Sequence, residues 1–207
     1  MSDAPRILSF WLNDPKENLS MDLRQYCDVF CAEMARVDAA AVGRLADAIE
    51  EAYRAGRMVF VIGNGGSGAN ASHLCEDLGK GTLSDFDRQK RLRIISLTDN
   101  TPYILAWGND SGFDRVFSEQ LKNLASPGDL LIAISGSGNS PNILRAVEYA
   151  NSIGMKTFGV SGYDGGKLLG LASDNWHVAC NNMGMAEAVH GVVFHYLTEE
   201  LARRFAR

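Results

Sequence analysis

Five short apolar runs, at residues 58–62, 92–97, 130–134, 157–161 and 176–180, are separated by stretches long enough for a helix. Strands that alternate with helices pair in parallel and return across a sheet face, so this pattern predicts an α/β domain with a five-stranded parallel sheet and right-handed crossovers. Two helical patterns precede the first run, between about residues 19 and 55. Leu23, Tyr26, Val29, Phe30 and Met34 recur at helical spacing, as do Val42, Leu45, Ala46, Ile49 and Ala52. A last helix, about residues 185–203, is apolar nearly all round its first turns (Val189, Val192, Val193, Phe194, Leu197), which predicts burial between subunits. At 207 residues and 46% hydrophobic content the chain can build one full α/β domain with a helical extension.

Two of the runs lead into polar glycine loops. Gly63-Asn64-Gly65-Gly66-Ser67 follows the first, and Ser135-Gly136-Ser137-Gly138-Asn139-Ser140 follows the third. Small residues let the backbone approach a ligand, hydroxyls donate to anionic oxygens, and the next helix offers unpaired N–H groups and the positive end of its dipole. For either loop alone a tight turn with a capping hydroxyl is an equal alternative. Two in one small domain favour a phosphorylated ligand. Neither loop has the lysine of a P-loop, and no acidic residue ends a second strand about twenty positions on, where a dinucleotide ribose needs one. A sugar phosphate therefore fits better than NAD or ATP. Ligands of such sheets gather beyond the carboxyl ends of the strands. Both loops fall there, with Asp99 and Asn100 after the second run and Ser161-Gly162 after the fourth.

The formal net charge of −5, without a long basic run, disfavours nucleic acid as a partner. The first residues lack a basic segment followed by an apolar core, and no run approaches the ~18 apolar residues of a membrane span, so a cytoplasmic protein is expected. Cys27, Cys31, Cys75 and Cys180 do not complete a zinc knuckle and read as free structural thiols.

The helix after the first loop carries His73 and Asp77 at i and i+4, on one face, with Glu76 adjacent. The last helix carries Glu187, His190 and His195. Glu187 and His195 share a face about 12 Å apart along the axis. If the two helices met, two imidazoles and two carboxylates would converge. A single histidine on an apolar helix is more often a hydrogen-bonded core residue, and His177, within a strand pattern, reads as structural.

Taken together, these residues resemble the sugar isomerase (SIS) domain family and, within it, the phosphoheptose isomerases, which convert sedoheptulose 7-phosphate into D-glycero-D-manno-heptose 7-phosphate. The similarity runs through the leading helices, both loops, His73 with an acid four residues on, Gly108-Asn109-Asp110 before Gly112-Phe113, Gly162-Tyr163-Asp164-Gly165-Gly166-Lys167, and the His190/His195 helix. It implies a three-layer sandwich of the flavodoxin-like kind, with residues 1–56 as a helical extension and 57–207 as the SIS domain. Phosphate-binding serines map onto Ser67, Ser135, Ser137 and Ser140. Asn64, Gly65 and Gly66 line the sugar, and Asp99 and Asn100 match the region that contacts its hydroxyls. The family's Ser-Thr-Ser-Gly-Asn-Ser loop has Gly136 in place of threonine here, which keeps a backbone donor.

The family places a His and a Glu on the first of the two helices, then a Gln and a His on the last, as zinc ligands or as substrate and proton-transfer groups. Here those positions are His73, Asp77, Glu187 and His195. The resemblance thus implies Asp77 and His195 as base and acid, Glu187 as a substrate or metal group, and zinc held by all four residues. Two of the four differ from the family pattern: Asp77 is a methylene shorter than glutamate, and Glu187 adds a charge. The family also implies a homotetramer with active sites at subunit interfaces. A non-catalytic sugar-phosphate sensor, a scaffold for the replication initiator, and an isomerase of another phosphosugar remain open alternatives at this point.

Overall fold

The structure is a computed structural model that describes residues 21–206; residues 1–20, where the N-terminal readings and the start of the helical extension fall, lie outside the described residues. Helices α1 (Leu23–Ala35) and α2 (Ala39–Ala55) lead into β1 (Met58–Gly63) and α3 (Gly65–Glu76), which a single π-helical turn, Asp77–Gly81, extends. Then come β2 (Arg93–Ser96), α4 (Thr101–Ser111), a 3-10 turn at Phe113–Arg115, α5 (Ser118–Leu124), β3 (Leu130–Ser135) and α6 (Pro141–Ser152). The chain ends with β4 (Lys156–Ser161), the one-turn α7 (Leu168–Leu171), β5 (Asp174–His177) and the long α8 (Met183–Phe205).

All five strands pair in parallel, in the order β2-β1-β3-β4-β5. Successive side chains point to opposite faces, which explains why β1 and β3 are apolar at nearly every position: both of their faces are covered. Val59, Val61, Leu130, Ile132 and Ile134 face a core shared with α2, α3 and α8, while Phe60, Ile62, Leu131 and Ala133 face a second core built with α5, α6 and α7. The result is a three-layer α/β sandwich, as expected.

Three differences from the sequence reading have physical causes. The last strand pairs two residues early, from Phe158↔Asp174 to Ser161↔His177, because Val178 N–H only closes the ladder onto Ser161 O before the chain bends away. Helix α8 buries most of its apolar residues inside its own chain, with Val189, Val193, Phe194 and Leu197 in the first core. Val192, at 44%, and Tyr196, at 53%, stay exposed. Helix α1 has no buried residue among those described, and its Leu23 is 79% exposed.

The strand order reverses between β1 and β3, which lie side by side although their crossovers leave in opposite directions. A crevice opens at such a point beyond the carboxyl ends of the two strands. The two glycine loops flank it. The second loop is braced from behind: Leu168 N–H donates to Gly138 O at 3.0 Å, and Gly162 N–H donates to Gly136 O at 2.9 Å. A side chain at Gly138, whose φ is +62°, would put its Cβ 1.9 Å from Gly165 O, so only glycine fits there.

Candidate active site

The crevice is a cleft of about 200 Å³ lined by Asn64, Gly65, Gly66 and Ser67 from the first loop, Ser135, Gly136, Ser137 and Ser140 from the second, and Met183 and Glu187 from α8. Nine of the residues assigned to the substrate thus share one site, and Asp99 and Asn100 are not in its lining. Asn64 and Ser140 are the N-caps of α3 and α6, yet neither side chain caps its helix. The first turn of α3 therefore keeps N–H groups for an anion, whereas in α6 Pro141 has no N–H and Ile143 N–H goes to Asn142 Oδ1, so that helix offers chiefly its dipole end.

Glu187 belongs to this cleft. Its carboxylate lies so close to Gly66 that a Cβ there would be 2.2 Å from Oε2. Burial pushes its acid up from the ordinary carboxylate range, while a hydrogen bond from Ser67 N–H pulls it back down. Met183 was missed by the sequence reading. Its Sδ would lie 2.3 Å from a Cβ at position 136, so the methionine occupies the space that a threonine side chain would need in the second loop. The departure at Gly136 was the signal that could have pointed to it.

A second cluster stands further along the same helix pair. Helices α3 and α8 pack together, pinned by Asn70 Nδ2 donating to Glu187 O at 3.0 Å. The π-helical turn begins at Asp77, and such turns are frequent at functional sites. Oδ2 of Asp77 lies 3.5 Å from His73 Nε2 and 3.1 Å from His195 Nδ1. The two imidazole rings meet edge to face, with centroids 4.9 Å apart. One donor atom from each of these three residues lies within 4.8 Å of the others, and two nitrogens with one carboxylate oxygen match a three-ligand metal site with a position left for substrate. Glu187 is not in this trio.

The remaining candidates divide. Ser72 Oγ donates to Asp99 Oδ1 and lies 2.9 Å from Thr98 Oγ1, which fixes Asp99 at the β2 end of the rim. Asn100 caps α4 by accepting from Tyr103 N–H at 3.3 Å. His190 is fully buried, its Nε2 lies 3.2 Å from Ser161 O, and burial pushes its pKa down to about 4. It is a core residue; His177 is half-buried at the end of β5, with its Nδ1 3.2 Å from Ser161 Oγ. The four cysteines are free thiols, and burial raises those of Cys75 and Cys180.

A doubly wound parallel sheet with an anion-competent cleft at its switch point and a His-Asp-His cluster beside it defines an α/β domain of the sugar-phosphate-handling type. The chain belongs to the SIS domain family, whose sequence model matches residues 25–162. Among curated relatives, the phosphoheptose isomerase of Geobacter sp. strain M21 is 35% identical over 188 residues, covering 90% of this chain and 95% of that protein. A probable phosphoheptose isomerase of Thermoplasma acidophilum is 34% identical, covering 89% of this chain and all of the relative. Among solved structures, a phosphoheptose isomerase from Francisella tularensis superposes with a TM-score of 0.81 at 29% identity, over 87% of this chain and 96% of that one.

Proposed function

We propose that this protein is an aldose–ketose isomerase that converts sedoheptulose 7-phosphate into D-glycero-D-manno-heptose 7-phosphate through an enediolate, in heptose biosynthesis. The contact between Asp77 and His195 carries this reading: isomerisation needs a base for the proton alpha to the carbonyl and an acid for the carbonyl oxygen. A carboxylate and an imidazole 3.1 Å apart supply both.

The phosphate is held by Ser67, Ser135, Ser137 and Ser140 with first-turn N–H groups of α3 and the dipole end of α6. Asn64, Gly65, Gly66, Gly136, Asp99, Asn100 and Glu187 line the sugar between that anchor and the reacting carbons. Along α8, Glu187 at the cleft and His195 at the cluster are about 12 Å apart, a span suited to an extended heptose phosphate. His73, Asp77 and His195 suit a divalent metal, zinc by their chemistry, which when bound polarises the carbonyl oxygen as a Lewis acid. Glu187 completes that set only by turning away from Ser67.

The protein acts in the cytoplasm as a homotetramer, with the leading helices α1 and α2 packing in the assembly. The exposed apolar face of α1 supports this, as does the groove that Met34, Val37, Val42, Val192 and Tyr196 line between the leading helices and α8. Among the described residues no helix is long and apolar enough to cross a membrane. Mass in solution tests the assembly. Turnover of sedoheptulose 7-phosphate by the purified protein tests the activity.

A further inference from the structure

Asn142, the second residue of α6, is only 2% exposed and forms a reciprocal amide pair with Asn64 across the switch point. Asn64 Nδ2 donates to Asn142 Oδ1, and Asn142 Nδ2 donates to Asn64 Oδ1, both at 2.9 Å. Ile143 N–H also donates to Asn142 Oδ1, at 3.0 Å. A backbone N–H can only donate, so that atom is the oxygen, and the polarity of both amides follows from it.

This pairing takes Asn64 away from its local task. Asparagine is among the strongest N-caps, its side-chain oxygen accepting from the N–H two or three residues on, which for Asn64 means Gly66 or Ser67. Asn64 makes no such bond, because both ends of its amide are turned toward Asn142. The uncapped turn, Gly65 to Ser67, instead lines the cleft, with the Glu187 carboxylate lying against Gly66.

We propose that Asn142 is a positioning residue that holds Asn64 off the α3 N-terminus and so keeps that turn open to the ligand's phosphate. The inference rests on the reading that the cleft takes a phosphate. Without Asn142, Asn64 swings onto its own helix and occupies a donor that the phosphate needs. The loss is on the order of fivefold to tenfold in affinity, the worth of one cap.

Calorimetric titration with inorganic phosphate tests it on the full chain and four variants: Asn142→Ala, the double variant Asn64→Ala with Asn142→Ala, Asn64→Ser and Asn64→Ala. Asn142→Ala binds phosphate fivefold to tenfold more weakly than the unaltered chain. The double variant binds more tightly than Asn142→Ala, because alanine cannot cap. A residue that served packing alone gives the opposite order, with the double variant no better than the single. Serine at 64 is too short to reach Asn142 but caps well, so Asn64→Ser binds more weakly than Asn64→Ala with Asn142 intact, and this pair decides the matter if Asn142→Ala does not fold. An Asn142→Ala affinity within twofold of the unaltered chain, a double variant as weak as Asn142→Ala, or equal binding by the two variants at 64 overturns the inference alone. An unaltered chain that takes up no phosphate overturns the phosphate reading and this inference with it.

Discussion

Nδ1 of His195 stands 3.1 Å from Oδ2 of Asp77, although one residue comes from the turn that ends the first crossover helix and the other from the last helix of the chain. The contact depends on the packing of α3 against α8, and Asn70 Nδ2 bonding Glu187 O sets the register between them. Everything catalytic in the account passes through this junction.

The His-Asp-His trio predicts a bound divalent ion. Elemental analysis of protein purified without chelator should find close to one zinc or similar ion per chain, and Asp77→Ala or His73→Ala should lose it. Prolonged dialysis against a chelator should remove activity, and added zinc should restore it. Metal-free protein with undiminished turnover would remove the ion from the account.

The serines of the second loop predict a binding effect. Ser137→Ala deletes one hydroxyl that faces the cleft, and a hydrogen bond to a charged group is worth about 1.5–3 kcal/mol. KM should rise by roughly tenfold to a hundredfold while kcat changes far less. Steady-state kinetics across the substrate range check this. A fall in kcat with KM unchanged would place Ser137 at the reacting carbons instead.

Gly66 predicts a steric effect. A methyl group there meets the Glu187 carboxylate at 2.2 Å from Oε2, so Gly66→Ala must displace that side chain within the cleft. Substrate affinity should drop while circular dichroism stays that of the native fold. Glu187→Ala in the same chain should recover part of the loss, because it removes the clash. No recovery would mean that Gly66 is needed for another reason.

His190 predicts a pH effect on stability. Its folded pKa of about 4 lies below the ordinary histidine value near 6.5, because burial disfavours the charged ring. Above about pH 6.5 the ring is neutral in both states and carries no penalty. As pH falls from there toward 4 the unfolded chain binds a proton that the folded chain refuses. Stability is lost over that window, up to about 3 kcal/mol. Urea unfolding at pH 7 and pH 5 should show a smaller acid loss in His190→Gln than in the unaltered chain. Equal losses would mean that His190 is not the group responsible.

Much of this architecture was legible in the sequence because it follows from short-range pattern. Apolar runs such as 58–62 and 130–134 could only be strands covered on both faces, and a glycine loop after each placed the ligand site at the rim. What was not legible depends on rotation and packing. His190 and His195 share a helix, but five residues turn about 140° round it, so one faces the core and the other the cluster. Glu187 and His195 do share a side, yet the axial distance between them leaves Glu187 with the phosphate cleft rather than with the imidazoles. Helix α1 has a clear apolar stripe at Leu23, Tyr26 and Val29, but no element among the described residues buries it. Periodicity records that a face is apolar and is silent on which surface covers it. The Asn64–Asn142 pair left no sequence signal at all, since it joins the starts of two helices that meet only when β1 and β3 lie side by side.

The most direct test of the central claim is to incubate the purified protein with sedoheptulose 7-phosphate and follow the aldose heptose phosphate, beside His195→Ala. The unaltered chain should convert it, and His195→Ala should lose at least about a hundredfold in rate with its fold and phosphate affinity retained. No conversion by a folded protein that still binds the phosphosugar, or full rate in His195→Ala, would contradict that claim.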